Sequence, residues 1–240
     1  MSEHLRPVVF TRAGALKGAR DALPMALSSI AFGLVFGVAA RQAGLSLAEA
    51  SLMSALVFAG SSQFVAIGIW GSPVPVFAVV LATLIVNARH LLMGASLRPW
   101  YSRLTRRQAY GSLFFMTDTN WPLQLQAFLR GEREGAVLVG SGLFMLSTWV
   151  ASTAFGHAAG AAIGDPRTWG LDFTVVAFFA AVLVKLWRGR GDAMPWLIAA
   201  VTAVAVHLAV PGFWHVIAGA LAGSIAGAIR DTSGKAGHGA

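Results

Sequence analysis

Seven long apolar runs, at 22–40, 50–70, 76–97, 136–163, 171–187, 195–210 and 213–229, leave this chain few ways to fold. Several reach the ~20 residues a helix needs to cross a bilayer, where a segment must satisfy its own backbone hydrogen bonds. With 56% apolar and 12% charged residues in 240, the sequence holds more apolar surface than a soluble domain of this size can bury. The expected fold is an all-α integral membrane protein, a polytopic helical bundle in one transmembrane domain over 22–229. A basic lead-in precedes it at 1–21, and a polar, Gly-rich tail at 230–240 is expected to be disordered.

Lys and Arg outnumber Asp and Glu by 18 to 10, and the excess sits at the N-terminus and in short loops. Arg6, Arg12, Lys17 and Arg20 precede the first run, Arg98, Arg103, Arg106 and Arg107 follow the third, and Lys185, Arg188 and Arg190 follow the fifth. Such a pattern marks cytoplasmic ends of membrane segments rather than nucleic-acid binding. The 19-residue run at 22–40 is too long for a cleaved signal peptide and reads as a retained first helix. Residues 9–20, VFTRAGALKGAR, suit a basic amphipathic segment along the inner headgroups. There is no cysteine, which excludes disulfides, thiolate metal sites and thiol nucleophiles.

If 22–40, 50–70 and 76–97 each crossed once, the N-terminus and the 98–107 loop would lie on opposite sides, against their charges. The segment 50–70 is the one expected to break or re-enter, because it carries the polar cluster Gly60, Ser61, Ser62 and Gln63. At a fixed offset of 57, LVFGVAAR at 34–41 lies over LLMGASLR at 91–98, and FAGSSQF at 58–64 lies over FMTDTNW at 115–121. Two repeat units, 22–70 and 76–129, are therefore expected, each a spanning helix followed by a polar-cored one. The charges make the two units inverted, a common construction of secondary transporters. Helices at 136–163, 171–187, 195–210 and 213–229 complete the bundle, with both termini inside.

Three polar clusters carry the chemistry. Gly60, Ser61, Ser62 and Gln63 either pack a helix interface or form a broken helix whose freed amides meet a carboxylate. Thr117, Asp118, Thr119 and Asn120, closed by Trp121 and Pro122, place a carboxylate among apolar neighbours, where it needs a cavity, a cation or headgroup water. Pro122 is expected to bend or end its helix. Asn87, Arg89 and His90 lie deep in the third run, with Arg89 ~13 Å along a helix from Arg98, too far to snorkel. Arg89 needs an anion, and Asp118 is the candidate, either as a structural tie or as a coupling pair that substrate or a proton disrupts. His157, among small residues, reads as a packing residue with one bridging bond, and Asp172 as a helix cap. His207 and His215, with no carboxylate nearby, are not expected to hold a metal.

The succession LPMALSSIAFGLVFGVAARQAGLSLAEASLMSALVFAGSSQF, VNARHLLMGASL, TDTNW and GLDF resembles the AzlC family of branched-chain amino acid permeases over residues 12–229. The resemblance implies export of branched-chain amino acids across a bacterial inner membrane, with no cofactor. It also implies a partner, a small AzlD-like membrane protein of about 100 residues, room for a few spans of ~20 residues each. Two departures stand out: Thr119 replaces an acid of the family pattern, and threonine or valine at 174–176 replaces a proline. The chain thus has one carboxylate fewer for a two-acid proton mechanism.

On this reading Gly60, Ser61, Ser62 and Gln63 offer donors to the substrate carboxylate, and Phe58, Phe64, Phe115 and Trp121 form an apolar wall. Asn87, Arg89, His90, Asp118 and Asn120 form the coupling or charge-pair group. The rival readings are a channel or structural subunit, and an intramembrane serine hydrolase using Ser61 or Ser62 with His90 or His157 as base.

Overall fold

The computed structural model describes residues 7–102, 104–162, 173, 176, 177, 180, 181, 183, 184, 187, 189–210 and 214–236. Arg6, Arg103, Asp172 and most of the segment expected at 171–187 lie outside them. The regular structure among the described residues is helical, with one isolated parallel bridge between Val9 and Glu134 and no strand. Among the described residues, three helices are long and apolar enough to cross a membrane by length and composition: Leu23–Gln42, Val76–Ser96 and Ala136–Ala162.

The chain divides into two compact units, 1–68 with 86–175, and 69–85 with 176–240. In the first, α10 (Ala136–Ala162) is the central post, ~40 Å long at 1.5 Å per residue. Helix α2 (Leu23–Gln42) lies parallel to it, and glycines set the approach. A Cβ at Gly37 would run into the Thr153 carbonyl, and one at Gly156 into that of Leu34. Small residues at such a crossing let two backbones touch, which is how helices gain contact without a hydrophobic drive from water.

The basic segment at 9–20 forms a helix packed against α10. Thr11 caps α1 (Arg12–Asp21), accepting from Gly14 N at 2.9 Å. Gly14 and Gly18 are buried, and a Cβ at Gly140 of α10 would meet the Ala15 carbonyl. Glu134 fastens the joint, accepting from Thr11 Oγ1 at 2.6 Å, Thr11 N at 3.1 Å and Ala136 N at 2.9 Å. One carboxylate thus caps α10 and holds the N-terminal segment against it.

The expected helix at 50–70 is broken. Helix α3 (Leu47–Val57) opens with a capping box, Ser46 with Glu49, and stops at Phe58, whose φ of 45° and ψ of 41° are left-handed. For a bulky residue that conformation costs about 1–2 kcal/mol. Helix α4 (Gly60–Gly68) starts two residues later, so GSSQ opens a half-helix rather than interrupting one.

Over 76–129 the elements follow in this order. Helix α5 (Val76–Asn87) begins in the second unit and hands over to the first, continuing almost directly into α6 (Arg89–Ser96) and the short α7 (Arg98–Tyr101). Helix α8 (Arg106–Leu113) again opens with a capping box, Thr105 with Gln108. The chain then breaks over 114–120 and resumes as α9 (Trp121–Leu129). Pro122 therefore sits in the first turn of a helix, where its missing amide is harmless, instead of bending or ending one.

In the second unit a 3₁₀ turn at Arg190–Asp192 leads into α11 (Ala193–Ala209), paired with α12 (Trp214–Ala236). Gly219 and Gly223 of α12 press on Ala203 and Ala199. At one end of the pair Arg230 donates to the Gly191 carbonyl. Helix α12 runs to Ala236, into the tail expected to be disordered from residue 230.

Candidate functional site

The site is built where the two chain breaks meet α6. Arg89 opens α6, and its guanidinium reaches both: Nη2 donates to Ser61 Oγ at 2.7 Å on α4, and Nη1 lies 3.7 Å from Asp118 Oδ2 in the 114–120 loop. Neither charge is sealed from its surroundings, the side chains being 38% and 59% exposed. Asn87 Oδ1 and Arg89 Nε are each buried without a hydrogen-bond partner. An unused buried acceptor or donor is costly unless a polar guest completes it. His90 faces its own turn, with Nδ1 3.1 Å from Asn87 O.

The rest of the first polar cluster faces the other way. Ser62 and Gln63 are fully buried, and Ser62 Oγ donates to Ala59 O at 2.9 Å. Gln63 Nε2 donates to Ser54 Oγ at 3.1 Å and Oε1 accepts from Trp149 Nε1 at 3.1 Å, while Ser54 Oγ lies 2.9 Å from Thr153 Oγ1. This is a closed network joining α3 and α4 to α10, and its amide has a partner at each end. Phe64, also fully buried, meets Phe36 edge-on at 5.4 Å, and Phe36 stacks on Trp149 at 6.0 Å. Gly60 lies under the Trp149 ring, which a Cβ would approach to 2.9 Å. Of the expected substrate-binding set, Ser61 alone among the four polar residues points its side chain at the charge pair.

The second cluster divides in the same manner. Asn120 is fully buried; Oδ1 accepts from Thr117 N at 2.7 Å, and Nδ2 donates to Phe115 O at 2.8 Å and Ser141 Oγ at 3.2 Å. It clamps the loop against α10 and so sets where Asp118 emerges. Trp121 donates from Nε1 to Ser96 Oγ at 2.9 Å, tying α9 to α6. Phe115 is half-buried, and Phe58 is nearly enclosed at the α3 break.

Three supporting residues were not singled out from the sequence. Gln124 is fully buried on α9: Oε1 accepts from Leu138 N at 2.9 Å and Nε2 donates to Glu134 O at 3.0 Å, so its side chain caps α10 from a neighbouring helix. Ser54 and Thr153 complete the interior network. A glutamine in an apolar stretch and hydroxyls spaced along apolar helices were the available signals. His157 is buried, with Nε2 2.8 Å from Leu45 O, the single bridging bond expected of it. His207 and His215 touch edge-on with ring centroids 4.9 Å apart, and no group of three or more metal-ligating residues occurs among the described residues.

Comparison with known proteins fits these observations. The profile of the family described as AzlC protein matches residues 24–163. The branched-chain amino acid transport protein AzlC of Bacillus subtilis is 30% identical over 173 residues, 69% of this chain and 65% of its own length. The inner membrane protein YgaZ of Escherichia coli is 26% identical over 206 residues, 81% of this chain and 84% of its own. An uncharacterized membrane protein of Archaeoglobus fulgidus is 30% identical over 211 residues, covering 87% and 92%. No solved structure matches the chain.

Proposed function

This chain belongs to the AzlC family of membrane proteins, related to branched-chain amino acid transport, and from that premise we propose that it exports valine-like amino acids across a bacterial inner membrane. It works as a secondary transporter with a small AzlD-like membrane subunit, and both termini face the cytoplasm. The observation that carries this reading is Arg89, whose single guanidinium holds two broken helices at once through Ser61 and Asp118.

A zwitterion competes for that grip. Its carboxylate takes Arg89 together with the first-turn amides of α4, which have no intrahelical partner. Its ammonium takes Asp118 and the unused Asn87 Oδ1. Phe58, Phe115 and Trp121 stand beside the breaks as the apolar wall for an aliphatic side chain. Once its bonds to Ser61 and Asp118 are exchanged for bonds to substrate, Arg89 no longer ties the helices, and they are free to move. A hydrolase has less support, because Ser61 is committed to a guanidinium, and His90 and His157 each engage a backbone carbonyl.

Two measurements test the proposal. Cells producing the chain with its small partner should release valine faster than cells without it and resist toxic valine dipeptides; equal efflux rejects export. In this cysteine-free chain, Ala48→Cys should react with an impermeant maleimide from outside intact cells and Ser102→Cys should not. Outside labelling of Ser102→Cys overturns the cytoplasmic placement of the 98–107 loop.

A further inference from the structure

A depression of about 580 Å³ lies at the end of the first unit remote from α1, lined by Arg41, Gly44, Leu45, Ser46, Leu47, Glu49, His157 and Ala158. The transport reading gives it no role, yet it lies in the same volume range as small-molecule sites.

Its two charges are opposite and fixed differently. Arg41, in the last turn of α2, lays its aliphatic stem over Gly160, where a Cβ would approach Cδ to 3.2 Å. Its guanidinium makes no ion pair or hydrogen bond among the described residues. Glu49 has one oxygen in use: Oε2 accepts from both the amide and the hydroxyl of Ser46, each at 2.7 Å. Those bonds hold the carboxyl below the usual carboxylate range, so it stays ionised at neutral pH. The floor is rigid, because the buried His157 binds Leu45 O between them.

A free cation or anion would meet one like charge here, whereas a molecule with both charges meets two opposite ones. We propose that this depression is a second binding site for the zwitterion of a free α-amino acid, its carboxylate on Arg41 and its ammonium on Glu49. The site's purpose rests on the transport reading. His157 at its floor is eight residues from Trp149, which anchors α4, so the depression lies ~12 Å along α10 from the level of the charge-pair site. At that separation it serves as a vestibule on the face opposite the N-terminus, holding substrate loosely at the far end of its path.

The test uses the full-length chain carrying Ala158→Cys, an exposed lining position. Millimolar valine should slow its maleimide labelling about threefold, as expected when a site of millimolar Kd is two-thirds occupied. Isobutylamine and isovalerate, each with one charge, should not. Arg41→Gln should abolish the protection, and Glu49→Gln should weaken it while keeping the α3 cap, which accepts glutamine at that position. Labelling that valine leaves unchanged, or protection that survives Arg41→Gln, overturns the site. Valine efflux measured on the same preparation separates the two readings. Protection without efflux keeps the second site and rejects export, whereas efflux without protection rejects the second site alone.

Discussion

Arg89→Ala is expected to abolish valine efflux while folded protein still reaches the membrane. Breaking a fully buried ion pair strands a charge at a cost of about 3–5 kcal/mol, which would remove the protein altogether. Here the contact is 3.7 Å and both side chains are partly exposed. Where the pair faces a water-filled substrate path, as the transport reading has it, such a contact contributes about 0–1 kcal/mol to stability, so the fold should tolerate the loss. Transport should not. The bond to Ser61 and the carboxylate contact vanish together, and a drop of about 100-fold in efflux corresponds to roughly 2.7 kcal/mol.

Asp118→Asn alone should retain the Arg89–Ser61 bond and lose the ammonium partner. The double variant Arg89→Ala/Asp118→Asn should be as well expressed as either single one and equally inactive. Quantifying monodisperse protein after detergent extraction, alongside efflux, checks both halves. If the single variants are lost from the membrane and the double variant restores them, the pair faces lipid or protein and is a structural tie. Full efflux by the double variant would likewise remove the pair from the mechanism.

How much of this was legible in the sequence depended on where a residue's cost is paid. Arg89 and Asp118 stood out because a charge in an apolar run is expensive wherever its helix turns, and each needed the other's sign. The broken helix near residue 60 was legible for a similar reason, since GSSQ is unfit for lipid. Which face of that helix the polar side chains occupy was not. Orientation depends on the residue at which the helix restarts, and the break falls at Phe58, a residue with no preference for the left-handed conformation it adopts. Gln63 consequently turns toward Trp149, Ser62 back to the Ala59 carbonyl, and Ser61 toward Arg89.

Gln124 is the converse case: a polar residue on α9 that is fully enclosed, because α10 begins beside it and the first-turn amide of Leu138 donates to its side chain. A sequence shows that a polar group needs partners but not that a distant helix end supplies them. The docking of α1 was equally hidden. Gly14 and Gly18 are small residues in a basic amphipathic segment, and what they pack against, Glu134 and Val137, lies more than a hundred residues away.

Gln63→Ala and Ser61→Ala should therefore have opposite effects, although the residues are two apart in one polar motif. Gln63→Ala removes both ends of a closed network. Trp149 Nε1 loses its acceptor, Ser54 Oγ loses a donor, and a cavity opens beside the Phe36–Phe64 contact. An unsatisfied buried donor costs about 1–3 kcal/mol, and truncation of a packed side chain adds a similar amount. The variant should melt well below the parent in a detergent thermal-stability assay, while the molecules that remain folded transport at the parental rate. Ser61→Ala removes a hydroxyl from a part-exposed site and leaves the interior intact, so its melting temperature should match the parent's. Efflux should fall about tenfold, roughly 1.4 kcal/mol, because Arg89 is no longer held beside the α4 amides to receive the substrate carboxylate. A Gln63→Ala protein that melts like the parent but cannot transport would place Gln63 on the substrate side, and α4 would then have to rotate away from Trp149 during the cycle.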